Sequence, residues 1–330
     1  MPEAMVSMLV TPRSTPAMGA DKLVRRFVSV VLESAAVLVV IATAVFLSLR
    51  LLPGDPARLV LGDQATPAEL TALRSRLELD QPIYVQYAHF LKELPRLDFG
   101  ESLRHPGVTA TARVTEAIGP TSALAGVAVA LGALLGIGGA VLAMGPWLGA
   151  GRSWIERIFV TIAATPLVAF APLLTYFLAA KYRVVPLPGD PDAGAAGLLF
   201  ASSLLAFPLA AHVGRITCAA LRDVERTPML AVVRAKGGSE FRVWMIHAVP
   251  ASLGPIVTVI ATQLGALLGG AIVLERLFER AGLGTLILES YSARDFPVLE
   301  AAVVAAAALF VVAQAAGEAV HALIDPRVRA

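Results

Sequence analysis

A single cysteine, Cys218, stands in 330 residues, which excludes an internal disulfide. Charge is scarce as well. Only 16% of residues are charged, against 57% hydrophobic and a mean hydropathy of +0.73. Globular soluble chains carry about 25% charged residues, so this chain lacks the polar surface such a fold needs. There is no GxxxxGK[ST] loop to cradle nucleotide phosphates on backbone amides. No Ser-His-Asp set or metal-ligand spacing occurs, and His89, His105, His212, His247 and His321 are scattered. The chain is therefore not expected to be an enzyme by itself, or to bind a cofactor or nucleic acid. Internal repeats are absent, and no apolar run carries a midplane series of Asp, Glu and His. The first gives no ground for inverted-repeat symmetry, and the second argues against an ion-coupled secondary transporter, which stays an alternative reading. Glu33, His212, Glu318 and His321 fall near span ends, where long side chains reach the interface.

What is present is a set of apolar runs of bilayer length. Six are read: Phe27–Leu49, Ile118–Met144, Ile158–Ala180, Ala195–Ile216, Leu253–Leu274 and Leu299–Ala322. About 20 apolar residues cross a hydrocarbon core as a helix. Backbone groups in lipid must bond within their own segment, so the spans are helices. The predicted fold is an all-α polytopic membrane protein with six transmembrane helices. Basic residues collect in Lys22, Arg25 and Arg26, in Arg152 and Arg157, in Arg222, Arg226, Arg234, Lys236 and Arg242, and in Arg327 and Arg329. The positive-inside rule puts these segments, and both termini, in the cytoplasm. Residues 1–21 read as a disordered tail in which Met18 is an alternative start, and residues 22–330 as one transmembrane domain. No cleavable signal is evident, because the apolar run Met5–Val10 is too short.

Two segments between spans are organised. Residues 53–115 read as an external loop with short helices. Pro53 and Pro56 around Gly54-Asp55 force a turn; Thr66, Pro67 and Glu69 form a helix start with a capping box. A further helix follows Asp80-Gln81-Pro82, and its stripe of Ile83, Tyr87, Phe90, Leu91 and Leu94 is expected to pack on the spans. Gly132 and Gly136 in span two, and Gly265 and Gly269 in span five, are four apart, which permits close helix approach. Pro166 and Pro172 are expected to kink span three.

Residues 218–252 read as a cytoplasmic helix–turn–helix. Thr227 caps and Pro228 opens a helix through Arg234-Ala235-Lys236. Gly237 takes the left-handed turn that ends it. Ser239 caps a second helix, Glu240–His247, carrying Phe241 and Trp244, which Pro250 ends. Such an element either rests on lipid headgroups or docks a soluble partner.

These residues carry a resemblance. The Arg234-Ala235-Lys236-Gly237 run, with Pro250 thirteen residues after Gly237, resembles the signature loop of binding-protein-dependent ABC importer permeases. Arg50–Pro56, Leu77–Pro82, Asp98–Leu103, Glu275–Phe278, Ala281–Gly284, Arg294–Pro297 and Asp325–Arg329 resemble, in order, motifs of the B-type permease of the dipeptide, oligopeptide and nickel importers. The likeness implies a type I importer permease of a bacterial inner membrane. It implies that Arg234, Ala235, Lys236, Gly237, Ser239, Glu240, Phe241 and Trp244 form the ATPase-coupling element, with Ser239–Trp244 inserting into the ATPase. Asp55, Asp98, Gly100, Glu275, Gly282, Gly284 and Asp295 are placed in external docking and gating. Implied partners are a second permease, two ATP-binding subunits that hold ATP and magnesium, a solute-binding protein and the lipid bilayer. The implied cargo is a short peptide, with nickel or glutathione as alternatives; a membrane scaffold without transport is a further reading.

Overall fold

The computed structural model describes residues 20–50, 55–62 and 64–324, and every regular element among them is helical. Most of the expected tail, the Pro53-Gly54 turn and Asp325–Arg329 lie outside the described residues. Helix α1 spans Ala20–Arg50. Three short helices follow: α2 (Pro56–Leu61), α3 (Pro67–Arg76) and α4 (Ile83–Glu93). Then come α5 (Ala110–Met144), α6 (Arg152–Ala164), α7 (Leu167–Thr175) and α8 (Gly194–Glu225). Next are α9 (Pro228–Ala235) and α10 (residues 240–251). Finally α11 (Leu253–Leu277), α12 (Leu283–Ala293) and α13 (Phe296–Ile324) complete the chain.

Five helices, α1, α5, α8, α11 and α13, are each long and apolar enough to cross a membrane. The expected third span differs. It is a pair, α6 and α7, bent by 105° at Thr165-Pro166. Thr165 is extended (φ −92°, ψ 122°), as a residue before proline is pushed out of the helical region, and Pro166 is extended as well (φ −64°, ψ 131°) where it caps the start of α7. Pro172 lies inside α7, which runs on as a π-turn over Tyr176–Lys181. The bend belongs to Pro166 alone.

The α5–α8 pair forms the most extensive helix contact. A Cβ on Gly132 would sit 2.7 Å from Leu209 Cδ2, and one on Gly136 only 2.8 Å from the Ala210 carbonyl oxygen. Lipid tails solvate leucine as well as protein does, so close packing of small residues is what holds such a pair. In α11, Gly265 faces the Phe310 ring, while a Cβ on Gly269 would meet open space. The main core gathers Leu124, Leu204, Leu205, Leu209, Ile256 and Leu274 from α5, α8 and α11.

The molecule has two polar ends. At one, the loop end, α2–α4 and α12 cover the helix termini. At the other, the elbow end, α9 and α10 join α8 to α11. The α4 stripe packs as expected: Phe90, Tyr87, Leu91 and Leu94 meet Ala42 and Phe46 of α1 and Val304 of α13. Ile83, at the start of the stripe, is exposed.

Candidate functional site

The elbow end is built from α9, a glycine turn and α10. Thr227 has the extended backbone of a helix cap, but its hydroxyl donates to the Val224 carbonyl instead of accepting from α9. At the other end of α9 the Gly237 amide bonds the Arg234 carbonyl (2.9 Å), and the Gly238 amide bonds that of Val233 (3.1 Å). That pairing is a Schellman motif, with Gly237 in the left-handed region at φ +79°. The two glycines do different work. A Cβ on Gly237 would meet nothing within 4 Å, whereas one on Gly238 would sit 2.9 Å from the Val233 carbonyl oxygen. Gly237 supplies conformation and Gly238 supplies room; the sequence reading named only the first.

Ser239 caps α10, accepting from the Arg242 amide. Beyond Arg242 the helix widens to a π-turn over Val243–Ala248 and continues through Pro250 to Ala251. The expected stop at Pro250 does not occur. Pro250 lies at the opening of the closing turn, where its missing N–H is tolerated, and the break comes at Ser252 instead.

Arg234 closes the elbow with a fork of two bonds, Nε to Glu240 Oε1 at 2.8 Å and an Nη to Oε2 at 3.2 Å. The Trp244 indole N–H donates to the same Glu240 Oε2 at 3.2 Å. The Arg234 hydrogen bond holds the Glu240 carboxyl below its ordinary value, and that same bond raises Arg234. Arg234 thus spends its guanidinium within the chain. One expectation is corrected here. Trp244, expected on an inserting surface, is 1% exposed and packs with Met144, Phe159, Leu221 and Leu230, because its large apolar ring roots α10 in the core. The exposed tip is Ala235, Lys236, Gly237, Ser239 and Phe241, extended by Arg242, Met245 and Ile246. Met245 and Ile246 were not singled out by the sequence, and Arg242 was marked only as one of the basic residues and by its place within Ser239–Trp244.

The loop end is held by buried carboxylates. Glu275, in the last turn of α11, is fully buried. Its carboxylate accepts from the Thr121 hydroxyl (2.6 Å) and the amides of Gly284 (2.7 Å) and Thr285 (3.3 Å). It thereby satisfies two of the orphan donors that open α12. A Cβ on Gly282 would sit 2.3 Å from the Glu275 carboxyl, and one on Gly284 2.6 Å from Ile272 Cα. Asp295 is buried too, and accepts from the Ser102 hydroxyl and, at 3.0 Å, from the Leu103 amide. Arg104 adds a bond from Nε to the Ala293 carbonyl (2.6 Å). Glu275, Gly282, Gly284 and Asp295, expected in docking and gating, are buried rather than presented to a docking partner, and they clamp α12 and the 98–109 loop onto the spans.

The remaining loop-end residues sit closer to the surface. Asp55 caps α2 through the Ala57 amide and pairs with Arg74, whose hydrogen bond lowers the Asp55 carboxyl. Thr66 and Glu69 form the expected capping box on α3. Exposed Asp98 accepts from the Gly100 amide, and Gly100 turns at φ +79°. Arg50 was not singled out as a site, yet it joins three elements. It pairs with Glu300 of α13 at 2.5 Å, donates to Gln86 of α4 at 3.0 Å and stands 3.7 Å over the Phe46 ring.

Comparison with known proteins fits this architecture. Residues 122–330 match the model of the binding-protein-dependent transport system inner membrane component. Residues 21–101 match the N-terminal model of the same kind of membrane component. The chain is 33% identical over 297 residues, 88% of its length and 94% of the relative's, to the glutathione transport system permease protein GsiC of Salmonella choleraesuis (strain SC-B67). It is 30% identical over 317 residues, 93% and 98% of the two lengths, to the probable peptide ABC transporter permease protein y4tP of Sinorhizobium fredii (strain NBRC 101917 / NGR234). Its fold is similar to the inward-facing MetNI methionine ABC transporter, with a TM-score of 0.53 and 17% identity over 64% of this chain and 96% of that one. The chain belongs to the binding-protein-dependent transport system inner membrane components, the permeases of ABC importers, and is related to permeases named for glutathione and for peptides.

Proposed function

We propose that this permease forms half of a pathway for short peptides, glutathione among them, and takes its motion from two cytoplasmic ATPase subunits. The elbow end faces the cytoplasm, with both termini on that side, and the loop end faces outward toward a solute-binding protein. A second permease of the same kind completes the pathway. ATP and magnesium stay in the ATPase subunits, so this chain hydrolyses nothing.

The observation that carries the reading is the Arg234–Glu240–Trp244 clasp. A helix pair that only rested on headgroups needs no fixed angle. Here the angle is fixed three times: by the Schellman turn, by the bidentate ion pair and by a tryptophan buried against α5, α6 and α8. A push on the exposed tip is therefore passed to the spans as rigid motion. Peptide cargo is supported by the relatives named for glutathione and for peptide transport, glutathione being itself a small peptide.

Reconstitution tests it. The permease pair, the ATPase pair and the binding protein, placed in proteoliposomes, should take up labelled short peptide only with ATP inside. Gly237→Trp should abolish uptake and loosen ATPase association while leaving membrane insertion intact. Uptake driven by an ion gradient without ATP would refute the proposal.

A further inference from the structure

A cleft of about 420 Å³ opens at the loop end between the first turns of α5, the end of α11 and the start of α12. Its size lies within the roughly 300–1,000 Å³ of small-molecule sites. It is lined by three guanidinium groups (Arg113, Arg276, Arg280) and three carboxylates (Glu116, Glu279, Glu289). None of these six charges enters an ion pair among the described residues, although both signs share one cleft.

Two further groups point to a ligand. Thr285 lines the cleft at 6% exposure, and its hydroxyl is buried without a hydrogen-bond partner. Arg280 Nε is likewise buried and unpartnered. Buried polar atoms in proteins almost always have partners, and the exceptions call for a reason. The Thr285 backbone is not free to move away, because its amide and that of Gly284 are held by Glu275. The cleft thus has a fixed floor carrying idle donors and is lined by charges of both signs that form no contact ion pair, Arg280 alone among them lying within electrostatic reach of buried Glu275.

We propose that this cleft binds the free ends of a zwitterionic short peptide. The α-carboxylate meets Arg280 and the Thr285 hydroxyl, and the α-ammonium meets Glu116. A simple anion or a metal cation uses only half of this charge set. A zwitterion uses both halves, and a guanidinium is the best match to a carboxylate. The inference rests on the peptide-importer reading and adds to it a site on the permease itself, separate from the binding protein.

The test uses the assembled permease–ATPase complex in lipid nanodiscs, without binding protein, and labelled trialanine, its C-terminal amide and its N-acetyl form. Trialanine should bind saturably, and each cap should weaken binding at least about tenfold, the size expected for one lost charge-assisted bond. Arg280→Gln should erase the preference over the amide and keep that over the N-acetyl form; Glu116→Gln should do the reverse. If Arg280→Gln complexes do not assemble, Thr285→Val keeps the side-chain shape and should still weaken binding of the free acid. Binding that ignores both caps, or no saturable binding, overturns the proposal. So does a result in which these variants lose only binding-protein capture, since the cleft would then be a protein contact. Stimulation of ATP hydrolysis by liganded binding protein, measured on the wild-type complex, reports on the importer reading separately.

Discussion

Arg234 and Glu240 face each other across the Gly237 turn, joined by two parallel bonds of 2.8 and 3.2 Å. Their side chains are 37% and 38% exposed, so solvent screening keeps the pair in the ~0.2–1 kcal/mol range of surface ion pairs. Its value is directional: it fixes the angle between α9 and α10. Glu240→Gln is expected to lower uptake by about tenfold or more with little change in thermal stability, and Glu240→Arg with Arg234→Glu to restore part of it. A double-mutant cycle on uptake checks this. Independent, additive losses would show that the pair does not act as a unit.

The same pair sets a pH expectation. Glu240 is lowered from 4.5, chiefly by the hydrogen bond from Arg234. A lowered carboxyl contributes stability above its unfolded value and loses it as pH falls through the folded value. The elbow should therefore be indifferent to pH between 6 and 8 and loosen only below about 4.5. Hydrogen exchange of the Gly237 and Gly238 amides, followed against pH, reads this out. Loosening near neutrality would point to a different titrating group.

Adjacent glycines should respond differently. Gly237 is strained for other residues only by its φ of +79°, so Gly237→Asn should keep most uptake. Gly237→Val should lose it, since a β-branched side chain disfavours that conformation. Gly238→Ala should cost more than Gly237→Ala, because its Cβ runs into the Val233 carbonyl. Overpacking of this kind typically costs about 1–3 kcal/mol. Thermal unfolding of the purified permease gives the order, and the reverse order would contradict the turn geometry.

Glu275 makes a prediction at the other end. Glu275→Leu leaves the Gly284 and Thr285 amides and the Thr121 hydroxyl without their acceptor. Each buried polar group so stranded costs roughly 1–3 kcal/mol. Exchange at the α12 amides should quicken at least tenfold, and Glu275→Gln, which keeps an acceptor oxygen, should be milder. Unchanged α12 exchange in Glu275→Leu would remove the clamp from this account.

Much of this was legible in the residues. Bilayer-length apolar runs marked five long helices able to cross a membrane, Thr66-Pro67-Ala68-Glu69 marked its capping box, and Gly237 its left-handed turn. The spacing of Gly132 and Gly136 marked one face of α5 for close helix approach, without saying which helix would meet it; the same spacing in α11 was half right, since a Cβ on Gly269 meets open space. The rest depends on distance in space. Glu275 and Thr121 are 154 residues apart, and Ser102 and Asp295 are 193 apart. Nothing local marks Trp244 as a root rather than a tip, since an indole on a short helix reads as surface until the ends of α5 and α8 are seen around it. The 105° bend was half visible: two prolines stood in the run, and only the fold shows which one breaks it.

The most direct test of the central claim uses the lone cysteine to advantage. With Cys218 replaced by serine and Phe241, which is 66% exposed, replaced by cysteine, the elbow carries a single thiol. In vesicles holding the whole transporter, this thiol should crosslink to an ATP-binding subunit, with a yield that changes between nucleotide-free and ATP-bound states. It should be labelled only by reagents on the cytoplasmic side. Labelling from the outer face, or active uptake with no such crosslink under any nucleotide, would contradict the role assigned to the elbow.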